Sequence, residues 1–343
     1  MSKRVLITGG AGFIAHHVID KILTETDWDI VCLDRLDISG NLNRLHDVLQ
    51  EYDAKMVSQR MHIVFHDLKA ELNEMIVKDI GAIDVVLHLA AGSHVDRSIT
   101  YPMEFVLDNT VGTVNMLEYA RKHLPNLDQF VYFSTDEIFG VAPPGVNYKE
   151  YDRYNSTNPY SAAKAGGEEL AVAFENTYKL PIYVTHTMNV FGERQHPEKY
   201  IPMCIKRARD GEVITIHSNA EKTKAGSRHY IHAKDVADAL MFLLHHDVSV
   251  HYNDYGGAKC QKFNIVGATE LDNLQLARMI ADIQGKTLKY EMVDFHSQRP
   301  GHDLRYALDG TKMKNVGWEP QPVKQRLEEV VNWTLNNERW LTL

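Results

Sequence analysis

Apolar positions in the first half of the chain gather into short, nearly unbroken runs: RVLIT (4–8), DIVCLD (29–34), HIVFHD (62–67), DVVLHLAA (84–91), QFVYFS (129–134) and PIYVTHT (181–187). Runs of this kind, rich in β-branched residues, are expected of strands buried on both faces. Between them lie segments with helical spacing, FIAHHVIDKIL (13–23), PMEFVLDNTVGTVNMLEYARKH (102–123) and SAAKAGGEELAVAFENTYK (161–179). The alternation predicts an α/β, doubly wound parallel sheet, with ligands bound beyond the carboxyl ends of the strands. After residue 188 the pattern loosens into shorter helices such as LDNLQLARMIADIQ (271–284). The expected division is therefore a sheet domain at 1–188 and a smaller C-terminal α/β lobe at 189–343, with no low-complexity linker between them.

Composition narrows the function. The formal net charge is −9 with no basic stripe, which argues against nucleic acid and acidic membrane surfaces as partners. The three cysteines, Cys32, Cys204 and Cys260, are odd in number and far apart, as in a reducing compartment. The opening apolar stretch is too short for a signal peptide, and no run approaches the ~20 residues of a spanning helix. A cytoplasmic protein is expected. Eighteen histidines invite a metal, but there is no HExxH and no CxxC. The doublet His16-His17 is expected to point to divergent helix faces, so no metal is expected.

TGGAGFIA (8–15) follows the first strand and opens a helix. Glycines at 9, 10 and 12 allow a tight turn and close approach of a pyrophosphate to a helix N-terminus, as in a Rossmann dinucleotide site. Phe13 and Ile14 complete the loop. Asp34 ends the second strand about 20 residues on, where a carboxylate accepts hydrogen bonds from a ribose diol and repels a 2′-phosphate. That favours NAD over NADP; Arg35, next in sequence, weakens the preference. Asp67, with Leu68, is placed either to meet the adenine side or simply to cap a helix. In HLAAGSHVD, the small residues around Leu89, Ala90 and Ala91 let a cofactor lie close to the sheet.

NPYSAAK sets Tyr160 and Lys164 at i and i+4 on one helix face. Lowering a tyrosine pKa by about three units takes ~4 kcal/mol of preferential phenolate stabilisation. A partly desolvated lysine and a nicotinamide cation are expected to supply it. Asp136 and Glu137 stand side by side where the fifth run ends, either a solvated turn or a pair with chemical work. Together TGGAGFIA, Asp34, HLAAGSHVD, STDE (134–137) and YSAAK resemble the extended short-chain dehydrogenase/reductase family along essentially the whole chain. With NVFGERQHPEKYIP, SRHYIH, FNIVG and RPGHDLRYALD, the chain is similar to the nucleotide-sugar 4,6-dehydratases of the dTDP-glucose and UDP-glucose kinds.

The resemblance implies a hydro-lyase with tightly bound NAD that makes a 4-keto-6-deoxy sugar. Tyr160 would be the base at O4, Lys164 its partner, Thr135 a donor to O4, Asp136 the acid at the C6 hydroxyl and Glu137 the base at C5. Opposite protonation states at neighbouring carbons explain the acid pair. A 4-epimerase needs Thr135, Tyr160 and Lys164 but not Asp136. Ser93, Asn189, Lys199, Arg228, Asn264, Arg299 and His302 match residues that hold the nucleotide sugar. Alternatives are a 4-epimerase, a 5,6-dehydratase that halts at an unsaturated sugar, and a non-catalytic NAD-bound regulator. The resemblance also implies a homodimer paired through the two long helices, whose apolar faces could otherwise simply cover the sheet.

Overall fold

A computed structural model of the chain describes residues 2–37, 39–246, 260–294 and 304–342. The six apolar runs form β1 (Arg4–Thr8), β2 (Asp29–Asp34), β3 (Met61–Phe65), β4 (Val85–His88), β5 (Gln129–Thr135) and β6 (Ile182–Thr187). Shorter strands follow: β7 (Val190–Phe191), β8 (Ile214–Ser218), β9 (Ser227–His229), β10 (Ile231–His232), β11 (Gln261–Ile265), β12 (Glu270–Asp272) and β13 (Tyr290–Asp294). The main sheet has seven strands in the order β11-β6-β5-β4-β1-β2-β3. Every pairing within it is parallel. Strand order reverses between β1 and β4, which opens a crevice beyond their carboxyl ends.

One face of the sheet packs a core against the helices Ala15–Glu25 and Ala233–His245. The other packs against Gly112–His123 and Pro159–Tyr178. A third core joins Tyr200–Asp210, β8, Asn273–Ile283 and Val323–Asn336 into a smaller layer. The chain after residue 188 serves both layers, because Ala233–His245 covers the main sheet and β11 is its edge strand.

The period pattern gave no sign of β11, and its burial explains why. Lys262 and Asn264 interrupt its apolar run yet are 7% and 0% exposed. Lys262 donates to Glu168 at 2.8 Å, and Asn264 donates to the carbonyls of Tyr148 and Asp309 at 3.0 and 3.1 Å. Burial works against ionisation of Glu168, but His186 and Lys262 outweigh it and hold the carboxyl well below its usual range. A buried polar network thus substitutes for apolar packing at this edge.

Two local expectations change. The segment 102–123 is not one regular helix: a π turn, Leu107–Val111, separates Pro102–Val106 from Gly112–His123. Within that turn the buried Asn109 amide bonds both the N–H and the carbonyl of Gly92, at 2.7 and 3.0 Å. His16 and His17 do not diverge; their rings lie 4.0 Å apart and both are buried. The helix Ala15–Glu25 is covered on more than one side, and His17 meets His232 and the carbonyl of Glu193. Among the described residues no group of three or more His, Cys, Asp or Glu is placed to hold a metal ion.

β5 runs directly into a 3-10 turn, Asp136–Phe139. Phe139 is fully buried between the rings of Tyr148, Tyr154 and His186, and the carbonyl of Ile138 accepts from Asn155 N–H at 2.9 Å. Gly140 ends the turn at φ +73°, ψ −158°, and a Cβ there would lie 2.3 Å from the Asn155 carbonyl oxygen. That backbone region is essentially reserved for glycine. Gly140→Ala is therefore expected to cost about 1–3 kcal/mol of stability, read by urea unfolding, and to lower turnover by shifting the turn.

Candidate active site

The crevice is a cleft of about 690 Å³ at the carboxyl ends of β1, β4, β5 and β6. At one end β1 delivers the glycine loop. Gly9 adopts φ +67°, and a Cβ on it would stand 2.9 Å from Ala90 Cα; one on Gly12 would stand 2.7 Å from the Gly9 carbonyl oxygen. The floor there is backbone against backbone, the cradle a pyrophosphate requires. Phe13, Ile14, Leu68, Leu89, Ala90 and Ala91 line the same end. Asp34 accepts from the N–H groups of Ala11 and Leu36 at 3.0 and 2.8 Å. Each carboxylate oxygen has a second lone pair to offer a ribose.

Arg35 lies at the rim, already neutralised. Its guanidinium pairs with Asp37 and Asp108, and with Asp67 at 3.4 Å. Asp67 also accepts from Lys69 N–H at 3.0 Å, so it serves as both a turn cap and a cleft wall. Four carboxylates against Arg35 and Lys69 leave the rim negative, which disfavours an added 2′-phosphate.

At the other end Thr135, Asp136, Glu137, Tyr160 and Lys164 all line the cleft. Thr135 donates to Asp136 Oδ1 at 3.1 Å, and Asp136 Oδ2 is buried with no hydrogen-bond partner. Burial first, and Glu137 second, raise the Asp136 pKa to about 7. Glu137 is half-buried and accepts from Asn158 Nδ2 at 3.3 Å. The two adjacent acids are thus placed in unequal surroundings, the condition for opposite proton states. Lys164 Nζ donates to the Phe133 carbonyl at 2.6 Å and lies 4.3 Å from the Tyr132 ring centre. Burial pushes the Lys164 pKa down to about 7, with Glu168 opposing. For Tyr160 the protein alone acts against the phenolate. Burial raises its phenol above the usual range and Glu137 adds to this, while a hydrogen bond with Thr135 opposes.

The sequence matches the GDP-mannose 4,6-dehydratase family over residues 6–332. The chain belongs to that family. It is 35% identical over 335 residues to the low-salt glycan biosynthesis protein Agl12 of Haloferax volcanii, spanning 97% of this chain and 99% of that one. It is 32% identical over 367 residues to a dTDP-glucose 4,6-dehydratase of Escherichia coli, spanning 98% and 95%. The crystal structure of DesIV, a dTDP-glucose 4,6-dehydratase from Streptomyces venezuelae with NAD bound, superposes with a TM-score of 0.83 at 30% identity, covering 98% of each chain.

Within this 4,6-dehydratase family member, Ser93, Asn189 and Lys199 line the cleft, as the resemblance implied. Two residues do not. Asn264 is fully buried outside it, its amide used by Tyr148, Asp309 and His186, so it holds β11 rather than a ligand. Arg228 stacks over Tyr306 at 5.1 Å and reaches the Leu304 carbonyl at 3.4 Å; the cleft-lining residue of that segment is Tyr230. Arg299 and His302 lie outside the described residues. Sequence reading missed Asn158, which caps the Tyr160 helix, although an Asn before Pro at a helix start is a legible cap signal. It also missed Arg44, buried and donating to the Ala11 carbonyl of the glycine loop at 3.3 Å, for which no motif exists.

The Asp136 environment has a stability signature. A carboxyl whose folded pKa is raised binds a proton that the unfolded chain has released, so its contribution declines as pH rises from about 4 to about 7. Asp136→Asn is expected to match wild type near pH 4 and to be more stable at pH 8 by about 1–4 kcal/mol, measured by urea unfolding across that range.

Proposed function

We propose that the enzyme catalyses 4,6-dehydration of a nucleoside-diphosphate hexose of the dTDP-glucose or UDP-glucose type, with NAD held in the glycine-loop end of the cleft. The observation that supports this most is the adjacent acid pair, one member deeply buried, facing the same cleft as Tyr160 and Lys164. The glycine loop and Asp34 would hold NAD, which would supply a hydride acceptor for C4 and donor for C6 and a cationic ring to offset the burial that disfavours the Tyr160 phenolate. Tyr160 accepts the O4 proton, with the Thr135 hydroxyl bonded to the same oxygen. The C4 ketone acidifies C5–H, and Glu137 removes that proton. Asp136 gives its proton to the C6 hydroxyl, which departs as water while C5=C6 forms. The proton held on Glu137 then returns to C5 as C6 is reduced, so the reaction is redox-neutral.

A 4-epimerase would leave the buried Asp136 without a task. The solved 4-epimerases at 22–24% identity share the fold and no more. A homodimer is supported by Met103, Val106, Leu107 and Tyr178, which are 37–66% exposed on the helices the family would pair. Among the described residues no helix is long and apolar enough to cross a membrane.

The direct test is to incubate the protein with dTDP-glucose and UDP-glucose and follow loss of one water by mass. Unchanged mass with altered chromatographic retention would replace this reading with epimerisation. Glu137→Gln is expected to slow C5 exchange with solvent by about 100-fold or more while KM stays within about threefold. Equal losses in both would remove its role as base. Because Asp136 acts as an acid, kcat is expected to fall as pH rises through about 7, a limb absent from Asp136→Asn.

A further inference from the structure

The turn that carries the acid pair and the helix that carries Tyr160 are separate elements. Asn158 touches both. It is the N-cap of Pro159–Tyr178, with Oδ1 accepting from Ser161 N–H at 2.9 Å, and Ser161 Oγ answers by accepting from Asn158 N–H at 3.3 Å. The reciprocal pair forms a capping box. An amide oxygen that accepts from the helix backbone fixes which way the side chain is turned. Its nitrogen must then face away from the helix, and there it donates to Glu137 Oε2 at 3.3 Å. Asn158 itself is only 6% exposed, so water does not easily replace that donor.

Serine or aspartate caps a helix as well as asparagine does. Neither does the second job. Serine is too short to reach the Glu137 carboxylate while capping, and aspartate has only acceptors to present. The choice of asparagine is therefore not explained by the helix alone.

We propose that Asn158 is a positioning residue for elimination: its amide holds the Glu137 carboxylate at C5 in register with the Tyr160 helix. The inference rests on Glu137 being the C5 base. The surrounding stitches favour a single frame. Asn155 N–H bonds the Ile138 carbonyl at 2.9 Å, the rings of Tyr154 and Phe139 meet edge to face, and Ser98 Oγ accepts from Tyr160 N–H at 3.1 Å. The Asn158 amide ties the Glu137 carboxylate itself to this frame.

The test compares wild type with Asn158→Ser and Asn158→Asp, each loaded with NAD. Unfolding midpoints should agree among the three, since all keep the cap. With the nucleotide sugar that the wild-type enzyme dehydrates, kcat should drop about 10- to 100-fold for serine and further for aspartate, whose charge opposes Glu137. KM should remain within about threefold. C4 oxidation precedes C5 deprotonation, so absorbance of the reduced cofactor should build up in both variants, as in Glu137→Gln. In the Glu137→Gln background, Asn158→Ser should add no further loss. Two variants equal to wild type in kcat, or a slow variant in which the reduced cofactor does not accumulate, would overturn the role of Asn158. An unchanged kcat in Glu137→Gln would instead remove the base assignment on which it rests.

Discussion

Two carboxyl groups joined by one peptide bond cannot both be buried and ionised without heavy cost. The fold resolves this by ending β5 in a 3-10 turn. The turn sends Asp136 inward, where it is 5% exposed, and leaves Glu137 at the cleft wall with a donor from Asn158. Everything that fixes the turn therefore fixes the difference between the two acids. The positive-φ Gly140, the buried Phe139 and the bond from Asn155 to Ile138 are constraints on protonation as much as on shape.

The same burial that raises the Asp136 pKa works against ionisation of Tyr160. A phenol in this site ionises less readily than one in water, and both acids add to the difficulty. Lys164 is spent on the Phe133 carbonyl and is itself pushed toward neutrality. On the proposed reading, Tyr160 stays protonated until the cationic cofactor ring is seated beside it. That is the behaviour expected of a site whose redox step should wait for its bound partner.

Much of this was legible in the chain. Strands and the glycine loop follow from unbroken apolar runs and from a backbone that cannot carry side chains. The acid pair stood out because adjacent like charges at a strand end need a reason. What escaped were features with no local signature. β11 hides behind Lys262 and Asn264, whose burial makes sense only beside Glu168 and His186, distant in sequence. Arg44 supports the glycine loop through a backbone carbonyl, which any residue offers. The burial that acts against the Tyr160 phenolate also had no local signature, because it depends on how the helix packs against β5 and the cleft.

The register of β11 against β6, Gln261 opposite Tyr183 through Ile265 opposite Thr187, has a consequence for synthesis. While the ribosome still holds residues beyond 187, β6 is complete but has no neighbour on one side. Its backbone groups stand open along a strand whose mature form is almost wholly inside. Such an edge invites pairing with other nascent chains. Until residues 261–265 are made, that edge of β6 has no partner strand.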